Sequence, residues 1–195
     1  MGVTLVELKD YKKLIKQRMG EKRFNHSLCV SEEAKRLASL YGADEEKAAL
    51  AGILHDITKE TPKETQLQII SDSGIILENT EINSPSLWHA ISGYAFIKNE
   101  LLIDDEDILN AVRFHTTGRE NMSLLEKIIF TADFTSRDRK YDDVEVIRKK
   151  ANKSLEQAML YGISYTIADL SKKQSVIHPD TVRAYNELVI SQNNK

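Results

Sequence analysis

The amino-acid sequence predicts an all-α fold, a helical bundle of about eight to ten helices in one domain. Three observations carry this expectation. Apolar residues recur at spacings of three and four along nearly all of the 195 residues, which is the pattern of successive helix faces. Helix start signals punctuate that pattern, as in Thr61-Pro-Lys-Glu64 and Ser123-Leu-Leu-Glu126. In each, a hydroxyl caps the first turn and a glutamate three residues on reaches back. No stretch sustains the alternation of apolar and polar residues that marks a strand. The sequence also has no internal repeat, low-complexity tract or Pro/Gly linker, so a single domain over residues 1–195 is expected.

The elements follow in order. The first helix is expected from about Leu5 to Met19, with Leu5, Leu8, Leu14 and Ile15 apolar and Lys12, Lys13 and Lys16 opposite. The second runs from about Arg23 to Tyr41 on Val30, Ala34, Leu37 and Leu40, and Gly42 stops it. Asp44 caps a third helix that ends at Leu54. Thr61 caps a fourth, Pro62 suits its first turn, and Gly74 ends it. The polar stretch Glu78 to Ser84 reads as a loop before Pro85. Helices are then expected at about 86–101, 105–116 and 123–136, and the charged stretch Ser136 to Asp143 reads as a surface loop. Three more are expected at about 143–152, 154–171 and 180–191, the last behind Pro179.

Composition narrows the class of function. With 41% hydrophobic and 29% charged residues, the chain has the balance of a globular protein rather than a disordered one. A chain of this length buries roughly 70% of its unfolded surface and needs no staple to fold. The 27 Lys+Arg against 30 Asp+Glu, a formal net charge of -3, argue against coating a nucleic-acid polymer through bulk charge. A small anionic ligand held by a few local cations remains compatible with that balance. The single cysteine, Cys29, excludes an intrachain disulfide framework and a Cys-rich zinc site; it fits a reducing cytoplasm. Met1 to Asp10 lacks the basic start and apolar run of a signal peptide. Val6 stands where a myristoylation motif needs Ser or Thr. The longest small and apolar run, Ala48 to Leu54, is far short of the ~20 residues that span a bilayer, so no membrane association is expected.

The chemistry-bearing residues sit where a core would otherwise be. His55-Asp56 ends the apolar helix Ala48–Leu54, inside Leu54-His-Asp-Ile-Thr-Lys59. Burying two such groups unpaired costs several kcal/mol. A metal supplies a reason, because imidazole and carboxylate are good ligands for iron, manganese or zinc. His26 shares the helix face of Val30, Ala34 and Leu37, and His89 that of Gly93 and Phe96. His115 ends the face of Ile108, Ala111 and Val112, and Asp133 that of Leu125, Ile128, Ile129 and Ala132. Each alone reads more readily as a satisfied core histidine or a helix cap. Together, they are satisfied by convergence on one centre.

In order along the chain, His26, His55-Asp56 and Asp133 reproduce the H…HD…D signature of the HD-domain metal-dependent phosphohydrolases, which are all-α. His89 and His115 resemble the extra histidines of the subset that holds a second metal. The local words Arg23-Phe-Asn-His26-Ser, Leu54-His-Asp-Ile-Thr-Lys59, His115-Thr-Thr-Gly118, Ala132-Asp-Phe and Ile177-His-Pro-Asp-Thr181 look like the YqeK-type symmetrical bis(5'-nucleosyl)-tetraphosphatases. The resemblance covers about residues 11–188, with no departure at the metal positions. It implies hydrolysis of diadenosine tetraphosphate and related dinucleotides into two nucleoside diphosphates, ADP or GDP. It implies that His26, His55, Asp56 and Asp133 bind the principal metal, iron first, with manganese, cobalt or zinc as alternatives. One or two ions fit the residues, because His89 and His115 either bind a second metal or contact phosphate; Asp56 is the bridge in the two-ion case. The resemblance further places Arg139 at phosphate and the loop Val176, Ile177, His178, Pro179, Asp180 and Thr181 at the nucleotide.

The chemistry suits an anionic substrate. A metal neutralises the polyphosphate, polarises the attacked phosphoryl group and lowers the pKa of bound water from 15.7 towards ~7. Asp133 and Asp56 are candidates for orienting or deprotonating that water. Lys59 follows Asp56 by three residues, so a continuing helix would set its ammonium beside the metal, ready for a phosphate oxygen. Without the preceding motif it reads as a solvated lysine at a helix C-terminus. Arg23 precedes His26 by three and can clamp phosphate, and Thr116 can donate to phosphate beside His115. Arg137, Arg139 and Lys140 also fit a solvated loop, and Arg148, Lys149, Lys150 and Lys153 read as an exposed helix face. Trp88 and Phe114 read as core aromatics beside two site histidines, and Cys29 as a small buried hydrophobe. Two readings compete: an HD-type hydrolase of another nucleotide, and a nucleotide-binding regulator without turnover. A homodimer is compatible with a small enzyme of this kind.

Overall fold

The computed structural model describes residues 8–193, whose regular elements are all helices, with no strand among them. The signal-peptide and myristoylation readings, and the contribution of Leu5 to the first helix, lie outside the described residues. In chain order the helices are α1 (Leu8–Arg18), α2 (Glu21–Tyr41), α3 (Glu45–Leu54), α4 (Lys63–Asp72), α5 (Asn79–Ile82), α6 (Trp88–Asn99), α7 (Glu106–Phe114), α8 (Leu124–Thr135), α9 (Val144–Ala151), α10 (Leu155–Lys172) and α11 (Pro179–Asn193). A 3₁₀ turn, Pro85–Leu87, leads into α6.

Local signals explain most boundaries. Asp44 accepts from the backbone N–H groups of Glu46 and Lys47 at the start of α3, and Asp105 does the same for Asp107 and Ile108 before α7. Ser123 and Glu126 form the expected capping box before α8. Gly42 closes α2 with φ +73°, a left-handed conformation that favours glycine.

Three expectations need correction. The stretch Glu78 to Ser84 is not all loop but holds α5. Glu78 and Glu81 cap each other reciprocally, and Arg113 holds the Glu81 carboxylate at 2.5 Å. That distant guanidinium buries Glu81 and fixes a turn whose local sequence is merely polar. Thr61 does not cap α4; Pro62 occupies the N-cap position with no side-chain bond. Residues 136–143 are not simply a surface loop. Ser136 is buried, and Arg148 donates to the carbonyls of Thr135, Ser136 and Arg139 at 2.9, 2.7 and 3.2 Å. Arg148 is therefore a loop clamp rather than part of an exposed face.

Packing places α8 centrally. Leu125, Ile128, Ile129 and Ala132 join Val30, Ala34 and Leu37 of α2, Ala48 and Ala51 of α3, and Ile147 of α9 in one core. On its other side, Phe130 packs with Met159 and Ile163 of α10 and Ala184 and Leu188 of α11. A second core joins Tyr11 and Ile15 of α1 to Ile53, Leu54, Ile57, Ile97 and Val112. No helix among the described residues is long and apolar enough to cross a membrane.

α2 and α3 approach each other closely at Gly52. A Cβ on Gly52 would fall 2.9 Å from the Ser31 Cα, and 3.1 Å from both the Ser31 nitrogen and the Val30 carbonyl oxygen. These are backbone atoms and cannot rotate away. Glycine mid-helix sacrifices about 1 kcal/mol of helix propensity relative to alanine, and the crossing justifies it. Gly52→Ala should therefore destabilise the fold by about 1–3 kcal/mol through overpacking, despite its better propensity. Denaturant unfolding measures this; a stabilised variant would refute the close crossing.

Candidate metal centre

The α2–α3 crossing and the central α8 bring the predicted residues together. His26 lies on the inner face of α2, His55-Asp56 just past the end of α3, His89 in the first turn of α6, His115 just past α7, and Asp133 in the last turn of α8. The four histidines and Asp56 are buried. In threes, one ligand atom from each of His26, His55 and Asp56, of His55, His115 and Asp133, and of Asp56, His89 and His115 lie within 4.8 Å of one another.

The orientation of the rings is set from behind. The Nδ1 of His55 meets the Gly52 carbonyl, that of His89 the Ser86 carbonyl and that of His115 the Val112 carbonyl, each at 2.7 Å. In each case the partner lies three residues earlier. His26 Nδ1 meets Asp138 Oδ2 at 2.8 Å. Carbonyls and carboxylates only accept, so each Nδ1 donates outward and each ring turns its Nε2 inward.

Those nitrogens face the carboxylates and one another. His26 Nε2 is 2.9 Å from Asp133 Oδ1, His55 Nε2 is 3.3 Å from Asp56 Oδ2, and His89 Nε2 is 3.2 Å from both Asp56 Oδ1 and His115 Nε2. His55 Nε2 and Asp56 Oδ1 are buried without a hydrogen-bond partner. Orphaned buried polar atoms cost about 1–3 kcal/mol each. A proton or a metal ion relieves this. Burial pushes His89 down to about 4, against protonation at neutral pH. Burial pushes Asp133 up, but contact with His26 and the Arg139 guanidinium outweigh it and keep the carboxyl well below its usual range. Asp56 is likewise held down, burial being outweighed by the facing imidazoles. Imidazole nitrogens and ionised carboxylates converging inward form a donor set that suits a divalent cation.

Cations ring the cluster. Arg23 Nη1 reaches Asp56 Oδ2 at 2.7 Å. Arg139 donates to the Asp133 carboxylate and, through Nε at 2.7 Å, to the Asp133 carbonyl. Lys59 Nζ lies 3.1 Å from His89 Nε2, and burial lowers its pKa. The helix does not continue to carry Lys59: α3 ends at Leu54, and i to i−3 turns at Ile57 and Lys59 bring it round instead. Arg137 turns away, to Cys29 and Glu32.

The second predicted group lies against this cluster. Thr116 keeps a buried hydroxyl without a partner. Thr181 donates to the neighbouring Thr117 carbonyl at 2.9 Å and ties its loop to the His115 turn. His178 is buried with an unpartnered Nε2, 3.8 Å from Glu81. Asp180 pairs with Arg183, Ile177 and Pro179 are half-buried, and Val176 is exposed. Trp88 donates to the Glu81 carbonyl at 2.8 Å, and Phe114 packs under Arg113 and Arg119.

Sequence reasoning missed Asp138. Within Arg137-Asp-Arg139 it looks like one more loop charge, and only the fold sets it behind His26. Carboxylate–histidine pairs orient ligands and raise their basicity. Asp138→Ala should lower affinity for a divalent metal by about 10–100-fold, measured by competition with a chromophoric chelator. Unchanged affinity would remove Asp138 from the centre.

Comparison with known proteins agrees with this geometry. The HD domain family model matches residues 23–138. The chain is 42% identical to the symmetrical bis(5'-nucleosyl)-tetraphosphatase of Halalkalibacterium halodurans, covering 92% of this chain and 95% of that protein. It is 41% identical to the protein of the same description from Bacillus subtilis, covering 90% and 94% respectively. A crystal structure from Clostridium acetobutylicum, described as a predicted HD superfamily hydrolase involved in NAD metabolism, superposes with a TM-score of 0.93 at 39% identity. That likeness covers 96% of this chain and 100% of the other.

Proposed function

The chain belongs to the HD-domain family, in its branch of symmetrical bis(5'-nucleosyl)-tetraphosphatases, and on that premise we propose that it hydrolyses dinucleoside tetraphosphates, diadenosine tetraphosphate above all, into two nucleoside diphosphates. The observation that carries the reading is the convergence of four inward Nε2 atoms on two carboxylates, with His55 Nε2 and Asp56 Oδ1 buried and unpartnered among them.

His26, His55, Asp56 and Asp133 would hold the principal metal, for which iron is the first candidate. Asp56, His89 and His115 would hold a second ion or, with Lys59, meet phosphate; metal stoichiometry separates these two arrangements. A bound divalent ion supplies charge neutralisation at the attacked phosphoryl group and a water of lowered pKa. The chain's own residues do the rest. Asp133, held ionised, orients the attacking water. Lys59, Arg23 and Arg139 present three cations to the polyphosphate, steering it and offsetting charge as the bond breaks. Thr116 offers its unpartnered hydroxyl to a phosphate oxygen. The loop Val176 to Thr181 holds one nucleoside, anchored by Thr181. The buried, free thiol of Cys29 supports a cytoplasmic setting.

Incubation of the metal-loaded protein with diadenosine tetraphosphate, followed by ion-exchange chromatography, should yield ADP alone. AMP with ATP would overturn the symmetrical cleavage, and absence of product with iron, manganese and cobalt would overturn the activity. Lys59→Ala should keep its metal and lose roughly 100-fold in kcat, the scale for removing one charge-stabilising donor. Wild-type turnover would release Lys59 from that role.

A further inference from the structure

A symmetrical dinucleotide has two nucleosides, and the loop Val176 to Thr181 accounts for one. Next to Asp133 and Arg139 lies a cavity of about 490 Å³, within the range of small-molecule sites. Its walls include Tyr141, Asp143, Tyr161 and Tyr165, from the 136–143 loop and α10. It shares no lining residue with the Val176 to Thr181 loop. The loop is tied to the Thr117 carbonyl, two residues past His115, and contacts run from His115 through Asp56, His55 and Asp133 to Arg139 at the cavity. The metal cluster thus connects to both regions.

The cavity's chemistry selects a nucleoside rather than phosphate. Tyr165 is 64% exposed and Tyr141 39% exposed; large rings left at a surface beside a concavity are stacking platforms. Asp143 lines the cavity together with Tyr161, and its carboxylate suits ribose hydroxyls or an exocyclic amine while repelling phosphate. Arg139 stands at the inner edge, where cavity and cluster meet.

We propose that this cavity is a second nucleoside subsite, taking the base and ribose of the other half of the dinucleotide while Arg139 meets the phosphates that join that half to the cleaved bond. The inference rests on the proposed dinucleotide hydrolysis. Two measurements test it on the metal-loaded full chain. Tyr165→Ala removes an exposed ring without opening the core. It should lower kcat/KM for diadenosine tetraphosphate by roughly tenfold, the scale of one base–aromatic stack, and Tyr165→Phe should recover most of the loss. Photolabelling with 8-azido-ADP should modify two separate segments, one of them within residues 134–165. Wild-type turnover with unaltered kcat/KM in Tyr165→Ala, or labelling confined to residues outside 134–165, overturns the second subsite and leaves the hydrolase reading standing. No turnover by any form overturns both.

Discussion

Four imidazole nitrogens and two carboxylates meet at the centre of this fold, and much of the surrounding structure serves to hold them there. Left alone, such a cluster would relax by rotating rings outward or by taking up protons. Neither route is easy. Three of the rings are fixed from behind by the carbonyl three residues earlier, and the fourth by Asp138. Burial holds His89 neutral. What remains is a convergence that a metal cation would satisfy beyond Arg23, Arg139 and Lys59, a requirement built into the backbone as much as into the side chains.

That requirement explains features that otherwise look wasteful. Gly52 weakens α3 as a helix, yet it lets α2 and α3 cross closely enough to set His26 beside His55, and its carbonyl fixes the His55 ring. His55 and His115 both stand just past a helix end, where the chain is leaving the helix and an inward turn is available. The apolar cores on both sides of α8 fix Asp133 to within the reach of His26. Stability generated by packing is thus used to confine charges that would not assemble on their own.

The loop from Ser136 to Asp143 links this centre to its surroundings. Arg148 clamps three of its carbonyls or those beside it, Asp138 faces His26, and Arg139 faces Asp133. One short segment therefore orients a ligand, supplies a cation and walls the adjoining cavity. Its charges point in different directions for different purposes: Arg137 goes to Cys29 and Glu32, away from the cluster.

The sequence by itself determined the helices and the inward stripes, because helical period, Asp and Ser caps and C-terminal glycines are local physics written in neighbouring residues. It also determined the set of centre residues, since His26, His55, Asp56, His89, His115 and Asp133 each end or share an apolar face, and only a shared centre satisfies all of them. Tertiary structure decided what depends on distant partners. The helical turn α5 exists because Arg113 holds Glu81. Asp138 stands behind His26 across 112 residues of chain. Lys59 reaches His89 by a tight turn rather than a continued helix, and Arg148 became a clamp once the loop folded under it. A charged residue looks the same in sequence whether it faces water or a partner. The difference lies in where the backbone carries it, which only the packed fold fixes.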